Sequence, residues 1–364
     1  MQTFLKKTPL YQAHCDLNAR MVDFGGWLMP VQYDGILSEY HQCRQKSAIF
    51  DISHMGEFIF NGNLSQGGLD KIITCEILSL SVGSSRYSLM LNESGGVIDD
   101  LIIFRISERK FMIVVNAANI TKDFEHLKNN LSDPSSIVDI SDQTAKLDLQ
   151  GPLSRDVLKD IVPGVGALEY FHFDYFDILG EKNIISRTGY TGELGYEIFC
   201  TPKKARILWQ KFLEDDRVKP AGLGSRDILR AEMAYSLYGN EITEDISPLD
   251  ANLSRFICFD KEFIGKNALS QQKENGIKRK MVYFLSDSRR SPRHGQSLYA
   301  NDSKEIGIVT SGIFSPSLEK GIGIGLINID SAPDGDKIFF GDKKNKARAT
   351  FIKRPFYKKG SLKI

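Results

Sequence analysis

The sequence predicts a mixed α+β protein of two or three domains, the last of which is all-β. Its 364 residues exceed the size of an ordinary single domain, and its 41% apolar content is ample for packed cores. Residues 86–116 read as short strands joined by turns, and helices are predicted at residues 36–49, 120–130 and 203–214. From residue 280 to 357 short strands punctuated by glycine replace the helices, so we expect a separate C-terminal β domain.

Two adjacent carboxylates interrupt an otherwise apolar strand in this first β region. Asp99 and Asp100 follow a turn rich in turn-forming residues, 92–96, which predicts an antiparallel hairpin. Side chains alternate along a strand, and neither face is polar around this pair. A carboxylate desolvated without partners is costly and has a raised pKa, so we expect donors or a ligand to meet these acids.

The hairpin register predicts that further polar side chains lie near one of the two acids. Pairing Asn92 with Val97 across the turn places Leu89 opposite Asp100. Tyr87 then lies on the same sheet face, diagonally next to that carboxylate.

The second turn of this meander decides where Asn116 lies. Pairing Phe104 with Lys110 puts Asn116 on the sheet face of Asp100. Tyr87, Asp100 and Asn116 are therefore expected to converge. A slip of one residue in either turn would scatter them, because successive side chains point to opposite faces.

Composition and charge exclude several classes of protein. The formal net charge of +1 gives no electrostatic argument for nucleic acid binding. The N-terminal residues lack a signal-peptide core and no apolar run is long enough to cross a bilayer, so we expect a cytoplasmic protein. The odd number and wide spacing of the cysteines indicate reduced packing thiols rather than disulfides or a zinc site; they are Cys15, Cys43, Cys75, Cys200 and Cys258.

Two individual residues are candidate functional residues, although neither belongs to a known catalytic or metal-binding motif. His54 has no second histidine at ligand spacing, so a histidine hydrogen-bonded within a turn is favoured over a metal ligand. Arg226 falls in the first turn of a predicted helix, where the helix dipole disfavours a cation. Its partner is expected to be Asp227, Glu232 or a bound ligand. The glycines of residues 187–197 do not form a dinucleotide-binding fingerprint.

Eight segments, in order over nearly all of the chain, resemble the aminomethyltransferases, the T-proteins of the glycine cleavage system. No single segment is sufficient, but eight in register are specific. They are residues 24–30 (FGGWLMP), 50–57 (FDISHMGE), 95–101 (GGVIDDL), 189–193 (GYTGE), 224–227 (GSRD), 237–239 (LYG), 262–266 (EFIGK) and 310–316 (TSGIFSP).

The resemblance implies three domains around a central channel for folate. Two would be discontinuous α+β domains, residues 1–50 plus 142–244 and residues 51–141 plus 245–276. The third, residues 277–364, would be a small all-β domain of jelly-roll or barrel type.

The resemblance also implies the reaction and its participants. An aminomethyl group is carried on the lipoyl arm of the H-protein. Its methylene passes to the co-substrate tetrahydrofolate, which yields 5,10-methylenetetrahydrofolate and ammonia. No metal, nucleic acid or membrane is implied.

Site residues follow by matching the motifs. Asp100 corresponds to the carboxylate at the reaction centre, where it either favours a developing cation or manages protons. Glu197 would accept two neighbouring N–H groups of a pterin, and Arg226 would supply donors. The predicted folate contacts are Tyr87, Asn116, Tyr190, Glu197, Arg226 and Tyr235.

Two other functions remain open at this point. One is a folate-dependent demethylase on the same scaffold, although such relatives depart from the segment that is intact here at residues 53–57. The other is a folate-binding protein without transferase activity, although those carry a reactive cysteine motif that this sequence lacks. Ala231 and Asn240 depart from the residues more usual in the family, which affects the expected shape of the pocket.

Overall fold

The computed structural model describes residues 5–300 and 304–362 of the chain. The α-helices are α1 (Tyr11–Asp16), α2 (Ile36–Gln45), α3 (Leu64–Gly67), α4 (Leu69–Ile72), α5 (Ile120–Asn130), α6 (Ser154–Ile161), α7 (Pro202–Leu213), α8 (Leu223–Glu232) and α9 (Lys266–Asn275). The strands are β1 (Lys6–Lys7), β2 (Arg20–Phe24), β3 (Trp27–Gln32), β4 (Ser47–Asp51), β5 (Gly56–Asn61), β6 (Ser85–Leu91), β7 (Val97–Arg105), β8 (Lys110–Val115), β9 (Ile137–Asp139), β10 (Ala145–Gln150), β11 (Phe173–Ile178), β12 (Glu181–Ser186), β13 (Gly195–Cys200), β14 (Val218–Pro220), β15 (Arg279–Ser286), β16 (Ser297–Tyr299), β17 (Glu305–Ser315), β18 (Lys320–Asn328), β19 (Lys337–Asp342) and β20 (Asn345–Ile352).

A six-stranded sheet has the order β11-β12-β13-β10-β4-β14 and two chemically different faces. Leu147 and Ile198 point to one face, which α6 and α7 cover. Trp209 of α7 belongs to the same apolar core. Because side chains alternate along a strand, those of Lys146, Asp148 and Glu197 point to the opposite face, away from that apolar core. The sheet therefore carries its charged residues on the face away from these helices.

A five-stranded sheet, β6-β7-β8-β5-β9, is covered by α5 on one face. Its other face packs against the six-stranded sheet, with the Phe104 ring 5.3 Å from that of Phe173 and 5.5 Å from that of Phe199. Asp100 lies on the same side of β7 as Phe104, and Asp99 lies on the side of α5. Asp100 and the charged residues of the six-stranded sheet thus face the space between the two sheets.

The predicted register of the first hairpin is confirmed except next to its turn, and that of the second hairpin is wrong. Leu89 does lie opposite Asp100, but a bulge beside Leu91 pairs Val97 with Leu91, not with Asn92 as expected. Phe104 pairs with Met112, not with Lys110 as expected. The difference is two residues, and a shift by two leaves every side chain on its predicted face. The three polar residues therefore still converge despite the incorrect pairing.

The C-terminal strands form a closed barrel in the order β15-β18-β17-β16-β19-β20. Phe284, Leu298 and Phe340 fill its interior. Gly323 faces the Phe284 ring so closely that an added Cβ would lie 2.1 Å from it, so glycine makes room for the ring. The predicted α+β class with an all-β C-terminal part is confirmed, while the domain boundaries given above stay predictions.

A further apolar cluster joins the barrel to the rest of the chain. It brings Leu89 of β6 and Ala231 of α8 together with Tyr283 and Ile324 of the barrel. In the part of the chain that the structure describes, no helix combines the length and apolar character needed to span a membrane.

Candidate active site

Asp100 is the centre of a polar cluster between the two sheets. The Tyr87 hydroxyl donates to its Oδ2 at 2.9 Å, and the Asn116 side-chain amide donates to its Oδ1 at 2.8 Å. All three side chains are half-buried, so the cluster is still reached by solvent. The structure thus brings together the three residues that the hairpin register predicted to converge.

Asp99 supports this cluster from the opposite side of β7. It is fully buried and accepts hydrogen bonds from the backbone and side-chain nitrogens of Asn116 at 3.0 and 2.9 Å. Asn119 donates to it at 2.7 Å. Asn116 therefore connects both acids and fixes their relative position.

The environment of Asp100 makes it an unusually weak acid. Burial raises its pKa, and the neighbouring charge of Asp99 raises it further. Hydrogen bonds from Tyr87 and Asn116 oppose these effects, and the resulting pKa is about 7. A carboxyl group with this pKa gains and loses a proton near neutral pH, which is typical of catalytic acids and bases.

Aromatic side chains flank the acid. Tyr190 stacks on Tyr235 with ring centroids 5.6 Å apart and planes 22° apart, and its hydroxyl donates to the Ser236 carbonyl. Tyr87 meets Phe256 edge-on at 4.5 Å. The Asp100 charge contributes to a raised pKa of Tyr190, although burial is the main cause. The predicted residues Tyr190 and Tyr235 therefore lie beside the acid cluster.

Arg226 has a different partner from those expected. Its guanidinium binds the fully buried carboxylate of Asp148 on β10. Asp227 and Glu232 instead pair with other arginines, at 2.7 Å each. The same guanidinium lies 5.3 Å from the Tyr190 ring centroid, so Arg226 links the buried acid to the aromatic pair.

Glu197 lies directly across the β10–β13 ladder from Asp148. Thr188 donates to one of its oxygens at 2.5 Å, and the Lys146 ammonium is 3.4 Å from the other. Burial raises the pKa of Asp148 to about 6 against the opposing effect of Arg226, and Glu197 adds to the rise. Glu197 thus belongs to a buried charge cluster that reaches the aromatic pair through Arg226.

Two more buried ionisable groups border this charge cluster. Burial raises the pKa of Glu57 to about 8, and its Oε1 has no hydrogen-bond partner among the described residues. His54 lies in a turn, as expected, but no described residue makes the predicted hydrogen bond to its buried Nδ1. Burial lowers the pKa of His54 to about 4, so the ring is neutral at physiological pH.

Sequence reasoning missed Lys146 and Asp148, although a signal was present. Both lie inside the strand β10, whose neighbours Ala145, Leu147 and Leu149 are apolar. This alternation predicts a strand with one polar face, on which Lys146 and Asp148 lie. Residues 5–300 and 304–362 contain no group of three or more histidines, cysteines or acids arranged to hold a metal ion.

A half-buried acid with a shifted pKa, flanked by stacked tyrosines and a buried ion-pair cluster, is the kind of site found in enzymes. Comparison with known proteins defines the family. The GCVT N-terminal domain matches residues 10–261, and the glycine cleavage T-protein C-terminal barrel domain matches residues 279–358.

Relatives of known name extend over the whole chain. An aminomethyltransferase of Caldanaerobacter subterraneus subsp. tengcongensis is 43% identical over 99% of this chain and 98% of its own length. One from Halothermothrix orenii is 42% identical over 97% of this chain and 100% of its own. The crystal structure of glycine cleavage system aminomethyltransferase T from Bartonella henselae superimposes with a TM-score of 0.90 at 34% identity, covering 98% of this chain and 99% of that one.

The chain belongs to the glycine cleavage T-protein family. It is an enzyme of the aminomethyltransferase class, as the eight sequence segments had indicated.

Proposed function

We propose that this enzyme transfers the methylene of an aminomethyl group, held on the lipoyl arm of the H-protein, to tetrahydrofolate. The products are 5,10-methylenetetrahydrofolate and ammonia. The observation that carries the proposal is Asp100, a half-buried carboxyl with a pKa of about 7 that is oriented by Tyr87 and Asn116. Family membership supports the reaction, and the contacts of these residues support the assignment of the site.

The residues around Asp100 suit a flat, polar-edged ring such as a reduced pterin. Tyr190 and Tyr235 offer aromatic surface at the site, and both are partly exposed. A carboxylate accepts at about four positions, so Glu197 retains acceptor capacity beyond its contacts with Thr188 and Lys146. We propose that these residues, with Tyr87, Asn116 and Arg226, hold the co-substrate.

The side chain of Asp100 has two chemical roles in the proposed reaction, one for each of its protonation states. Tetrahydrofolate, when bound, supplies the nucleophilic nitrogen that takes up the methylene. The ionised carboxylate of Asp100 would stabilise positive charge that develops beside it, and the protonated form would return a proton. Because its pKa is about 7, both forms are populated at neutral pH. The surrounding residues contribute mainly by placement, which lowers barriers by several kcal/mol when the reacting groups are held in contact.

The test is the variant Asp100→Asn, which preserves the size of the side chain but removes the charge, the titratable proton and one of the two acceptor oxygens. We expect turnover to fall about 100-fold or more, since acid–base or electrostatic groups typically contribute that much. Tetrahydrofolate affinity should change only a few-fold. The measurement is formation of methylenetetrahydrofolate with lipoylated H-protein as donor. Asp142→Asn, at an exposed position, is the matched control. Near-normal turnover in Asp100→Asn would contradict the assignment.

The same assay separates the competing functions. Ammonia release that requires the lipoylated partner is expected only for the proposed reaction. A demethylase would form a methylated folate from a small methyl donor without the H-protein. A non-catalytic binding protein would retain folate binding and release no ammonia.

A further inference from the structure

A third carboxyl group lies behind the Asp99–Asp100 pair, on helix α5. Asp123 has no solvent exposure, and neither of its carboxyl oxygens receives a hydrogen bond from any donor among the described residues. Its side chain is within hydrogen-bonding reach of Asp99. A negative charge on Asp123 would be desolvated, uncompensated and next to a second carboxylate, and each of these disfavours it.

Asp99 has room for one more donor. Its Oδ1 accepts from the side chains of Asn116 and Asn119, and its Oδ2 accepts from the Asn116 backbone N–H. A carboxylate offers about two acceptor positions on each oxygen. One position on Oδ2 is therefore left, and a protonated Asp123 would fill it with its O–H.

We propose that Asp123 is a neutral carboxylic acid that donates a hydrogen bond to Asp99 and thereby keeps the negative charge of the Asp99–Asp100 pair on Asp99. Asp123 is a positioning residue, since it acts on Asp100 only through Asp99. Because four donors then meet Asp99, the proton of the pair goes to Asp100, to which only the side chains of Tyr87 and Asn116 donate among the described residues. The consequence for catalysis rests on the proposed role of Asp100.

The charged groups around Asp123 agree with this assignment. Burial, Asp99 and Asp100 all raise the pKa of Asp123, to about 11, and Lys122 alone opposes them. The Lys122 ammonium is engaged elsewhere, with the Tyr238 hydroxyl at 2.8 Å and Glu244 at 3.0 Å.

The groups that face Asp100 come from three elements. Asp99 precedes it on β7, Tyr87 donates to it from β6, and Tyr190 interacts with it from the loop between β12 and β13. After burial, the charge of Asp99 has the largest effect on the pKa of Asp100, so the position of that charge controls when Asp100 is protonated.

Infrared spectroscopy tests the protonation state directly. At about pH 9.5 Asp100 and Glu57 are ionised, whereas Asp123 retains its proton. The wild-type spectrum should therefore contain a protonated carboxyl band that is missing from Asp123→Asn and retained in Asp142→Asn. This measurement needs no catalytic activity, and identical spectra for the wild type and Asp123→Asn would overturn the proposal.

The pH profile of kcat/KM tests the effect on Asp100. Asp123→Leu removes a donor that partly offsets the charge of Asp99, so Asp100 feels that charge more strongly and takes up its proton at higher pH. We expect the acidic limb of the profile to move up by less than about one pH unit, since one charge-assisted hydrogen bond sets the upper limit of the effect. Asp123→Asn keeps a donor and should keep the limb in place.

The outcomes of the two measurements are distinguishable. A limb that stays in place in a folded Asp123→Leu would overturn the charge-directing role of Asp123. A wild-type profile without a limb near pH 7 would count against the proposed function of Asp100, while the infrared result would still decide the state of Asp123. If Asp123→Leu does not fold, the comparison of wild type with Asp123→Asn decides the proposal.

Discussion

The hydrogen bond from Tyr87 to Asp100 gives a prediction with a definite sign. Tyr87→Phe removes an O–H that donates to the carboxylate at 2.9 Å and stabilises its ionised form. The phenyl ring remains and keeps its edge contact with Phe256, 4.5 Å between centroids. The substitution therefore changes the electrostatics of Asp100 with little change in packing.

The expected magnitude follows from the charge on the acceptor. A hydrogen bond to a charged group contributes about 1.5 to 3 kcal/mol, and one pKa unit corresponds to about 1.4 kcal/mol. Loss of the Tyr87 hydroxyl should therefore raise the pKa of Asp100, about 7 in the intact protein, by about one to two units. The acidic limb of kcat/KM should move upward by the same amount, which is a larger shift than the one expected for Asp123→Leu.

The assay is the pH dependence of methylenetetrahydrofolate formation, measured for the wild type, Tyr87→Phe and Tyr175→Phe. Tyr175 is 43% exposed on β11 and serves as the control for loss of a tyrosine hydroxyl. Stability offers a second readout: the destabilisation by Tyr87→Phe should grow as the pH rises through 7, because only the ionised carboxylate loses a strong hydrogen bond. A limb that stays in place, or moves to lower pH, would refute the reasoning.

Two further predictions concern the buried charges. The folded protein keeps the Glu57 proton up to about pH 8, whereas the unfolded chain loses it near 4.5, so stability falls as the pH rises between these values. Glu57→Gln abolishes this loss, so its stability advantage over the wild type should increase by up to about 4 kcal/mol from pH 4 to pH 8.5 in thermal unfolding; an advantage independent of pH would contradict this. Arg226→Met leaves the Asp148 carboxylate buried without its cation and should cost about 3 to 5 kcal/mol in urea unfolding. Adding Asp148→Asn should restore part of that stability, and simple additivity of the two changes would disprove the coupling.

Local sequence patterns were sufficient to predict which face of the sheet the polar residues of the meander β6, β7 and β8 occupy. The turn residues and the alternation of side chains were enough to place Tyr87, Asp100 and Asn116 on one face. The error of two residues in the second turn did not change the predicted face of any residue, because side chains alternate with a period of two along a strand. Residue spacing within two consecutive hairpins was sufficient for this part of the site.

The partner of Arg226 was beyond the reach of such patterns. Sequence reasoning looked among its helical neighbours, Asp227 and Glu232, whereas the actual partner, Asp148, is 78 residues away on β10. Nothing local relates α8 to that strand. Only the packing of the helix beside the six-stranded sheet decides this pair.

The sequence by itself determined the α+β class, the C-terminal barrel, the family and the strand face that carries Asp100, because these depend on periodicity and on motifs within short segments. Tertiary structure alone decided which buried acids hold a charge and which hold a proton. Protonation is set by desolvation and by neighbours from distant segments, as the meeting of Asp123 with Asp99 and of Asp148 with Arg226 illustrates.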